Sequence, residues 1–546
     1  MTVPSVTAPS IRRVAAPTVG TGVKLFIGFV LLWTIASLFS TGDTFLSIVP
    51  LVIVTLCYLL VALPLRAHLF ALIFLASLSD AVPISLPDKG GVWLPPFYLL
   101  YKLFFDNLNT LLPIPALRFS LTDVLYVLCI ALIVIRTGMK IRIDSRARER
   151  STWGLYAPLL VVFVAVACWG VYGVIVKHGD FKQALWQTRQ MMWLPFVIAL
   201  CSYTMRGPRD FMRAINLMIV ATCIKTLIAV KFFFGVARPL GFEPATLTSH
   251  FDSVLMVVAF MAFVIRFLHG ATWKNLGILL VVGGWIMLGI VLNNRRLAFV
   301  NIPVGLVVVL FMLRGPVKKG MKKVGVVLVP LLVAYVMVGQ NSTKTIFKPA
   351  RQMMSVSSQD DRSSGTRDIE NFNLIWTIKP NKILGAGWGH EYVEYVRADD
   401  ISQYFGQYKF IAHNSVLWLF TVGGLVGFTI MWMPVVLGIF FARRAYTFAR
   451  SSIERSTAAM SLVMLTTYMM QAWGDMGVMG LTSTLTASLA IAMSAKLCVM
   501  TGAFPARLNF FTIRESRSPV QATVNLPSMK VPVRTAPAVT TTALSA

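Results

Sequence analysis

The sequence predicts an all-α protein, a polytopic membrane helix bundle of about 14 transmembrane helices with one long extracytoplasmic loop that contains an amphipathic helix. Apolar residues fill 56% of the 546 positions, charged residues fill 13%, and the mean hydropathy is +0.72. A soluble domain carries about a quarter charged residues. The apolar residues form runs of about 17 to 25 residues, long enough to cross the hydrocarbon core as helices. Because lipid offers the backbone no hydrogen-bond partners, such runs must be helical.

The apolar runs place the individual membrane helices along the chain. We expect them near residues 24–40, 44–64, 67–81, 120–136, 155–177, 190–205, 212–236, 252–268, 274–293, 297–313, 323–339, 413–441, 456–472 and 477–500. The first run lacks a small-residue cleavage site, so it is interpreted as a transmembrane helix and not as a removed signal peptide.

The net charge of +28 resides mostly in short loops between the apolar runs. Basic residues cluster in the loops at 136–150, 206–213, 314–323 and 443–455. Short loops rich in Lys and Arg mark the cytoplasmic side of a membrane protein. With fourteen helices these loops share one side with both termini, which are therefore expected in the cytoplasm. No soluble basic domain exists to hold a duplex, so no nucleic-acid partner is expected.

This orientation divides the chain into five parts. A disordered cytoplasmic tail is expected at 1–22, the first eleven helices at 23–340, and a long extracytoplasmic loop at 341–412, called the outer loop below. The last three helices follow at 413–500, and a second cytoplasmic tail is expected at 501–546. Both tails are rich in Thr, Pro, Ala and Val and poor in aromatic residues, which is typical of disordered segments.

The outer loop contains one segment with the pattern of an amphipathic helix. Thr366 is a candidate N-cap, and Asp368 and Glu370 suit the positive end of the helix dipole. Pro380 ends the pattern. The apolar side chains that share one face are Ile369, Phe372, Ile375 and Trp376. The helix lies either on the membrane surface or packed against the bundle.

The outer loop and the helix after it resemble the O-antigen ligase and polysaccharide polymerase family. The resemblance rests on Ser364-Gly-Thr-Arg367, Trp376, Pro380, Leu384-Gly-Ala-Gly-Trp-Gly389, His413-Asn-Ser415 and Gly424-Leu-Val-Gly427. It covers residues 364–427, and Phe428 stands where some ligases carry a small or hydroxyl residue. The positions expected to shape the motif are Gly385, Gly387, Gly389, Asn414, Gly424 and Gly427.

The resemblance implies a fold similar to the C-type membrane glycosyltransferases, with the outer loop as a catalytic loop facing the periplasm. It implies a multi-pass protein of the bacterial inner membrane that transfers glycan from a polyprenyl diphosphate carrier to an acceptor sugar hydroxyl. Catalytic roles fall on His413 and Arg367. Imidazole either accepts the proton of the acceptor hydroxyl or, as the cation, holds phosphate, and the residues do not choose between these. A lone histidine at a helix end is more often a structural cap. His250 and Asp252 are weaker candidates.

Basic residues on the outer side predict a cationic cavity there. Positive charge is disfavoured on that side. The residues expected to bind diphosphate are Arg189, Lys231, Arg238, Arg295 and Arg296. Arg189 is expected just before its helix, Lys231 and Arg238 on one helix face, and Lys225 deeper in the bilayer. Guanidinium groups match phosphate oxygens and stay charged. The alternative is that each residue extends to lipid phosphates.

No metal and no cofactor are expected. The six cysteines all lie within apolar runs, without the spacing of metal ligands, and no carboxylate cluster is visible on the outer side. Preorganised cations can stabilise a leaving diphosphate without a metal ion.

The expected function is polymerisation of exopolysaccharide or O-antigen, because about fourteen helices exceed the dozen usual in ligases. One alternative is an O-antigen ligase that acts on lipid A-core. A second alternative, from a different class, is a lipid-linked oligosaccharide flippase or other transporter. The expected partners are the lipid-linked glycan, an acceptor glycan or lipid A-core, membrane lipid, and flippase and chain-length regulator proteins.

Overall fold

A computed structural model describes the helical body of the chain. The described residues are 28, 31, 32, 35, 64–79, 84–85, 92–110, 119–138, 153–241, 247–249, 251–342, 347, 349–351, 362–398, 400–402 and 406–505. Over these residues the chain is helical except for turns and one antiparallel pair of two-residue strands, β1 Ile84–Ser85 and β2 Val92–Trp93. The all-α membrane class predicted from hydropathy is confirmed.

The helices of the N-terminal half are named in chain order. They are α1 Leu65–Leu78, α2 Tyr98–Phe104, α3 Leu121–Gly138, α4 Trp153–Val171, α5 Phe181–Thr204, α6 Pro208–Phe232 and α7 Asp252–His269. A π-helical turn extends α4 over Tyr172–Val176, and another extends α6 over Phe233–Ala237.

The remaining helices carry the C-terminal half. They are α8 Trp273–Ile278, α9 Gly284–Asn293, α10 Arg296–Met312, α11 Gly315–Gly339, α12 Arg362–Ile378, α13 Ser415–Phe448, α14 Ser452–Gly474 and α15 Leu481–Met500. A π-helical turn at Leu279–Gly283 joins α8 and α9 into one continuous span.

Seven helical segments of the described residues are long and apolar enough to cross a membrane, and three shorter apolar helices accompany them. The predicted count of fourteen is therefore not reached within the described part of the chain. Apart from residues 28, 31, 32, 35 and 64, the predicted helices near 24–40 and 44–64 lie outside the described stretches, as do the tail at 1–22 and most of the tail at 501–546. A span of 18 or more residues matches the thickness of the hydrocarbon core, about 30 Å.

The bundle is built around α15. This helix packs against α13, α14, α5 and α7, and nearly all of its residues are buried. Small and hydroxyl side chains such as Ser483, Ser488 and Ser494 are buried along it. Short side chains let helix backbones approach closely in a membrane protein, where van der Waals packing drives association.

Two predicted helix starts are wrong. Helix α12 begins at Arg362, so Thr366 lies inside the helix and does not cap it. Helix α5 begins at Phe181, where the Asp180 side chain accepts a hydrogen bond from the Gln183 N–H at 2.7 Å, so Arg189 lies within α5 and not before it. Polar first turns hid the α5 start from hydropathy, because capping residues are hydrophilic.

Candidate functional site

The site lies where α12 docks onto the start of α13. The segment Gly385–Gly389, called the glycine turn below, runs back across α13 after α12 ends. Gly385, Gly387 and Gly389 all have positive φ, between +72° and +88°. The N–H of Gly387 donates to the carbonyl of Val422 at 2.9 Å. Val422 lies about two turns into α13. Positive φ costs glycine little, so these positions allow a tight, backbone-paired turn.

A non-helical residue in α13 accommodates the glycine turn. Gly424 has φ +59°, and a Cβ placed on it would lie 2.4 Å from the Gly385 nitrogen. Further along α13, a Cβ on Gly427 would lie 2.9 Å from the Trp169 indole. The two glycines therefore let the outer loop and α4 approach α13 at backbone distance. Only glycine, which has no Cβ, allows the chain segments to approach this closely.

Trp388 anchors the glycine turn in the bundle. It is fully buried, its Nε1–H donates to the Val166 carbonyl of α4 at 3.1 Å, and its ring lies 5.7 Å from that of Trp418 in α13. The backbone of Trp388 passes the π-helical turn after α4 so closely that a Cβ on Gly173 would lie 2.2 Å from its carbonyl oxygen. The outer loop is thus fixed to helices on both of its sides.

His413 sits two residues before α13 and contacts α12 through Glu370. The Glu370 carboxylate accepts the His413 backbone N–H at 3.1 Å, and its Oε2 lies 3.1 Å from His413 Nδ1. Glu370 is buried, whereas the His413 side chain is partly exposed. Asn414 caps α13 by accepting the Leu417 N–H at 3.1 Å. Among the described residues no side chain or backbone group forms a hydrogen bond with His413 Nε2.

Three arginines and one aspartate complete the group around His413. Arg367, on α12 one turn before Glu370, lies 3.9 Å from Asp475 through Nη2 and Oδ1. Asp475 follows α14, and the N–H of the next residue, Met476, donates to the His413 carbonyl at 2.6 Å. Arg295, in the turn between α9 and α10, lies within electrostatic range of Asp475, Arg367 and Arg296. Arg295 thus lies near two further guanidinium groups and the Asp475 carboxylate.

Arg295 is largely enclosed. Burial, together with Arg367 and Arg296, lowers the pKa of its guanidinium to about 10, against the opposing effect of Asp475. It therefore stays charged at neutral pH. Its Nε is buried and has no hydrogen-bond partner among the described residues. A buried donor without an acceptor is unfavourable, and an anion in the cavity would satisfy it.

The other cations predicted to bind diphosphate do not lie with the arginines around His413. Arg189 forms an ion pair with Asp123 at 2.8 Å, donates to Asn107 at 2.8 Å and stacks on Trp193. Lys231 and Arg238 are exposed at the C-terminal end of α6. The π-helical turn between them has more residues per turn than an α-helix, so the seven-residue spacing no longer places both on one face.

Lys225, expected deep in the bilayer, is neutralised within the protein. Its Nζ lies 2.6 Å from Asp252 and donates to the Ser79 carbonyl at 2.9 Å, and both charged side chains are buried. A charged residue at membrane depth normally pairs in this way inside the bundle. The pair joins α1, α6 and α7. His250 lies outside the described residues.

Two acidic residues of the group were missed as site residues. From the sequence, Glu370 is predicted only as a helix-dipole residue, and Asp475 is not predicted as a site residue. A signal existed for Asp475, because an acidic residue between two apolar runs on the outer side of a very basic chain is unusual. Only the fold brings it beside Arg367. The described residues contain no group of three His, Cys, Asp or Glu side chains that could hold a metal ion.

The geometry supports two chemical operations. An imidazole whose Nδ1 faces a carboxylate presents Nε2 as a proton acceptor, since the other ring nitrogen is held as the donor. An adjoining cluster of guanidinium groups binds and stabilises phosphate-like anions through forked hydrogen bonds. The comparison with curated proteins returned no match. Residues 278–432, which contain His413, Glu370 and the three arginines, match the O-antigen ligase family, a family of membrane glycosyltransferases, and this confirms the resemblance found in the motifs.

Proposed function

We propose that the protein transfers a glycan from a polyprenyl diphosphate carrier to a sugar hydroxyl on the outer face of a bacterial inner membrane. The single observation that carries this proposal is the contact of Glu370 with His413 beside Arg295 and Arg367. This contact supports a proton acceptor at His413, next to arginines that would bind an anion. A reaction that deprotonates a hydroxyl while a diphosphate leaves needs both.

In this reaction His413 acts as the general base. Glu370 accepts the Nδ1–H, which leaves the Nε2 lone pair free to take the proton of the acceptor hydroxyl. The acceptor oxygen then forms a bond to the anomeric carbon as the bond from that carbon to the diphosphate oxygen breaks. Such proton transfer contributes about 10²–10⁴-fold to the rate.

Arg295 and Arg367 stabilise the leaving diphosphate. The electron pair of the broken C–O bond stays on the diphosphate, so negative charge grows there as the reaction proceeds. Preorganised cations in a site of low dielectric stabilise growing charge most effectively. Asp475 lies 3.9 Å from Arg367 and holds it in place. The proposal needs no metal ion. It does not depend on flippase or chain-length regulator partners, and nothing observed supports them.

Two acceptors are compatible with this chemistry. The preference for a polymerase, whose acceptor is a second lipid-linked repeat unit, came from the predicted count of fourteen helices. The described residues contain fewer membrane-spanning helices than fourteen, so the helix count does not support a polymerase. The family match is described as O-antigen ligase and favours lipid A-core as the acceptor. We keep both as candidate functions of one glycosyl transfer reaction.

The test is an assay of the purified protein with a polyprenyl diphosphate-linked repeat unit. Growth of chain length with this donor alone supports a polymerase, and transfer only after addition of lipid A-core supports a ligase. EDTA is expected to leave either rate unchanged. Movement of the lipid-linked glycan between the leaflets of a proteoliposome, without any new glycosidic bond, would contradict the proposal and favour a transporter.

A further inference from the structure

A second feature of the molecule lies on the other side of the bundle. A groove of about 520 Å³ runs between α6, α7 and the α8–α9 span. Helix α7 begins beside the site, because Ser253 contacts Gln471, whose side chain bonds the Asp475 carbonyl. Its other end, with Arg266, therefore lies toward the opposite membrane face. The groove opens there and does not belong to the glycan-transfer site.

The walls of the groove are apolar except at one end. Val220 and Leu227 line it and are about half exposed, at 49% and 58%. Trp285 lines the deep end and is held by a hydrogen bond from its Nε1–H to the Cys223 carbonyl at 3.2 Å. Exposed apolar walls between membrane helices face acyl chains, since lipid is the solvent at this depth.

The length of the groove matches one leaflet. Its lining residues on α6 extend from Asn216 to Leu227, which corresponds to a rise of about 16 Å along the helix. Half of the hydrocarbon core of a bilayer is about 15 Å thick. An acyl chain of a lipid in that leaflet, with its headgroup at Asn216, therefore fits the groove lengthwise.

Arg266 supplies the charge at the headgroup end. Its guanidinium donates to the Asn216 side chain and lies over the Phe263 ring at 5.8 Å, so it is turned across the groove mouth. Among the described residues no carboxylate pairs with it. A guanidinium that is half-buried at the membrane boundary without a counter-charge is favourable when a lipid phosphate supplies that charge.

We propose that this groove is a binding site for one anionic glycerophospholipid of the leaflet opposite the glycan-transfer site, with the phosphate on Arg266 and one acyl chain along Val220 and Leu227. A groove with apolar contacts alone would bind the acyl chain of any lipid. The unpaired guanidinium adds selectivity for an anionic headgroup, because a zwitterionic headgroup brings its own cation near Arg266.

The experiment uses the full chain purified in detergent and titrated with dioleoyl-phosphatidylglycerol or dioleoyl-phosphatidylcholine, with bound lipid counted by native mass spectrometry. We expect the first phosphatidylglycerol to bind more tightly than phosphatidylcholine of the same chains. Arg266→Gln should weaken phosphatidylglycerol binding by about ten-fold or more, the usual effect of losing a charged hydrogen bond. Arg213→Gln, an exposed arginine at the same end of α6, is the matched control and should bind as wild type.

A second variant protects the test against misfolding of the first. Val220→Trp fills the groove from its open side, keeps Arg266, and should also reduce phosphatidylglycerol binding. Equal binding of the two lipids by wild type would overturn the proposal. So would wild-type binding by a folded Arg266→Gln variant together with Val220→Trp, or displacement of the lipid by millimolar inorganic phosphate, which would show a site for free anions.

Discussion

The carboxylate of Glu370 accepts two hydrogen bonds from His413, one from its backbone N–H and one from Nδ1–H, each at 3.1 Å. The first fixes the position of the residue, and the second fixes the tautomer of its ring. Helix α12 of the outer loop is thereby joined to His413, two residues before α13. The contact makes the orientation of His413 depend on α12 as well as on the start of α13.

His413→Ala is expected to lower the rate of glycan transfer by about 10²–10⁴-fold while donor binding survives, because the arginines still hold the diphosphate. His413→Gln keeps a polar side chain that could satisfy a structural role, yet cannot accept a proton in the same way. Transfer assays and donor-binding titrations of both purified variants check this. Near-normal transfer by His413→Gln would show that the histidine is structural.

Glu370→Gln is expected to lower kcat by at least about ten-fold with little change in donor affinity, since the amide no longer fixes the proton on Nδ1. Glu370 acts through His413, so it is a positioning residue. The matched control is Glu394→Gln, which removes a carboxylate of the same loop paired with Lys409 at 2.9 Å. An equal fall in kcat for both variants would indicate general damage to the loop.

Arg295→Lys and Arg367→Lys are each expected to impair transfer and weaken donor binding, because an ammonium group cannot reproduce the forked hydrogen bonds of guanidinium. The loss of one charged hydrogen bond corresponds to about 1.5–3 kcal/mol. Arg238→Lys serves as the control, since Arg238 is exposed at the C-terminal end of α6. Donor binding is measured by the shift of the unfolding midpoint on titration. Wild-type binding by both variants would place the diphosphate elsewhere.

Gly424→Ala is expected to destabilise the protein by about 2 kcal/mol or more. The residue has φ +59°, and its new Cβ would lie 2.4 Å from both the Gly385 nitrogen and the Ile383 oxygen. Gly365→Ala is the control, because a Cβ at this helical position meets nothing within 4 Å. Thermal unfolding in one detergent compares the two. A midpoint of Gly424→Ala that equals that of wild type would contradict the close approach.

Ser402→Cys, introduced into a cysteine-free variant, is expected to react with a membrane-impermeant maleimide in intact spheroplasts. Thr447→Cys, at the opposite end of α13, should react only after permeabilisation. Both side chains are exposed, so access to the reagent decides the result. The reverse pattern would put His413 on the cytoplasmic face and would remove the basis for a carrier lipid presented from outside.

Hydropathy located the membrane helices well because apolar length is a local property. The helix predicted near 252–268 is Asp252–His269, and that near 274–293 is Trp273–Asn293. The polar ends of the helices were predicted less accurately from the sequence. Thr366, the predicted cap, lies inside helix α12, because the helical residues before it carry no apolar face that would mark them.

The site was only partly predictable because its pairs join distant parts of the chain. Arg295, Arg367 and His413 were singled out from charge and motif. Their carboxylate partners could not be assigned, since the Glu370–His413 pair spans 43 residues and Asp475 reaches Arg367 only through the packing of α14. For the same reason Arg189 and Lys225, which lie against Asp123 and Asp252, looked like available cations in the sequence.

The contacts of the buried Trp388 indole imply an order in which the loop and helices assemble during synthesis. Its partners are Val166, made 222 residues earlier, and Trp418, made after the outer loop has been synthesised. During synthesis the loop stays undocked until α13 has been made. Asp475 arrives later still, after α14. A nascent chain that stops short of that point holds Arg367 without the Asp475 carboxylate, so the site is complete only after α14 has been made. Long-range contacts of this kind also form slowly, which leaves the unfinished loop accessible to proteases.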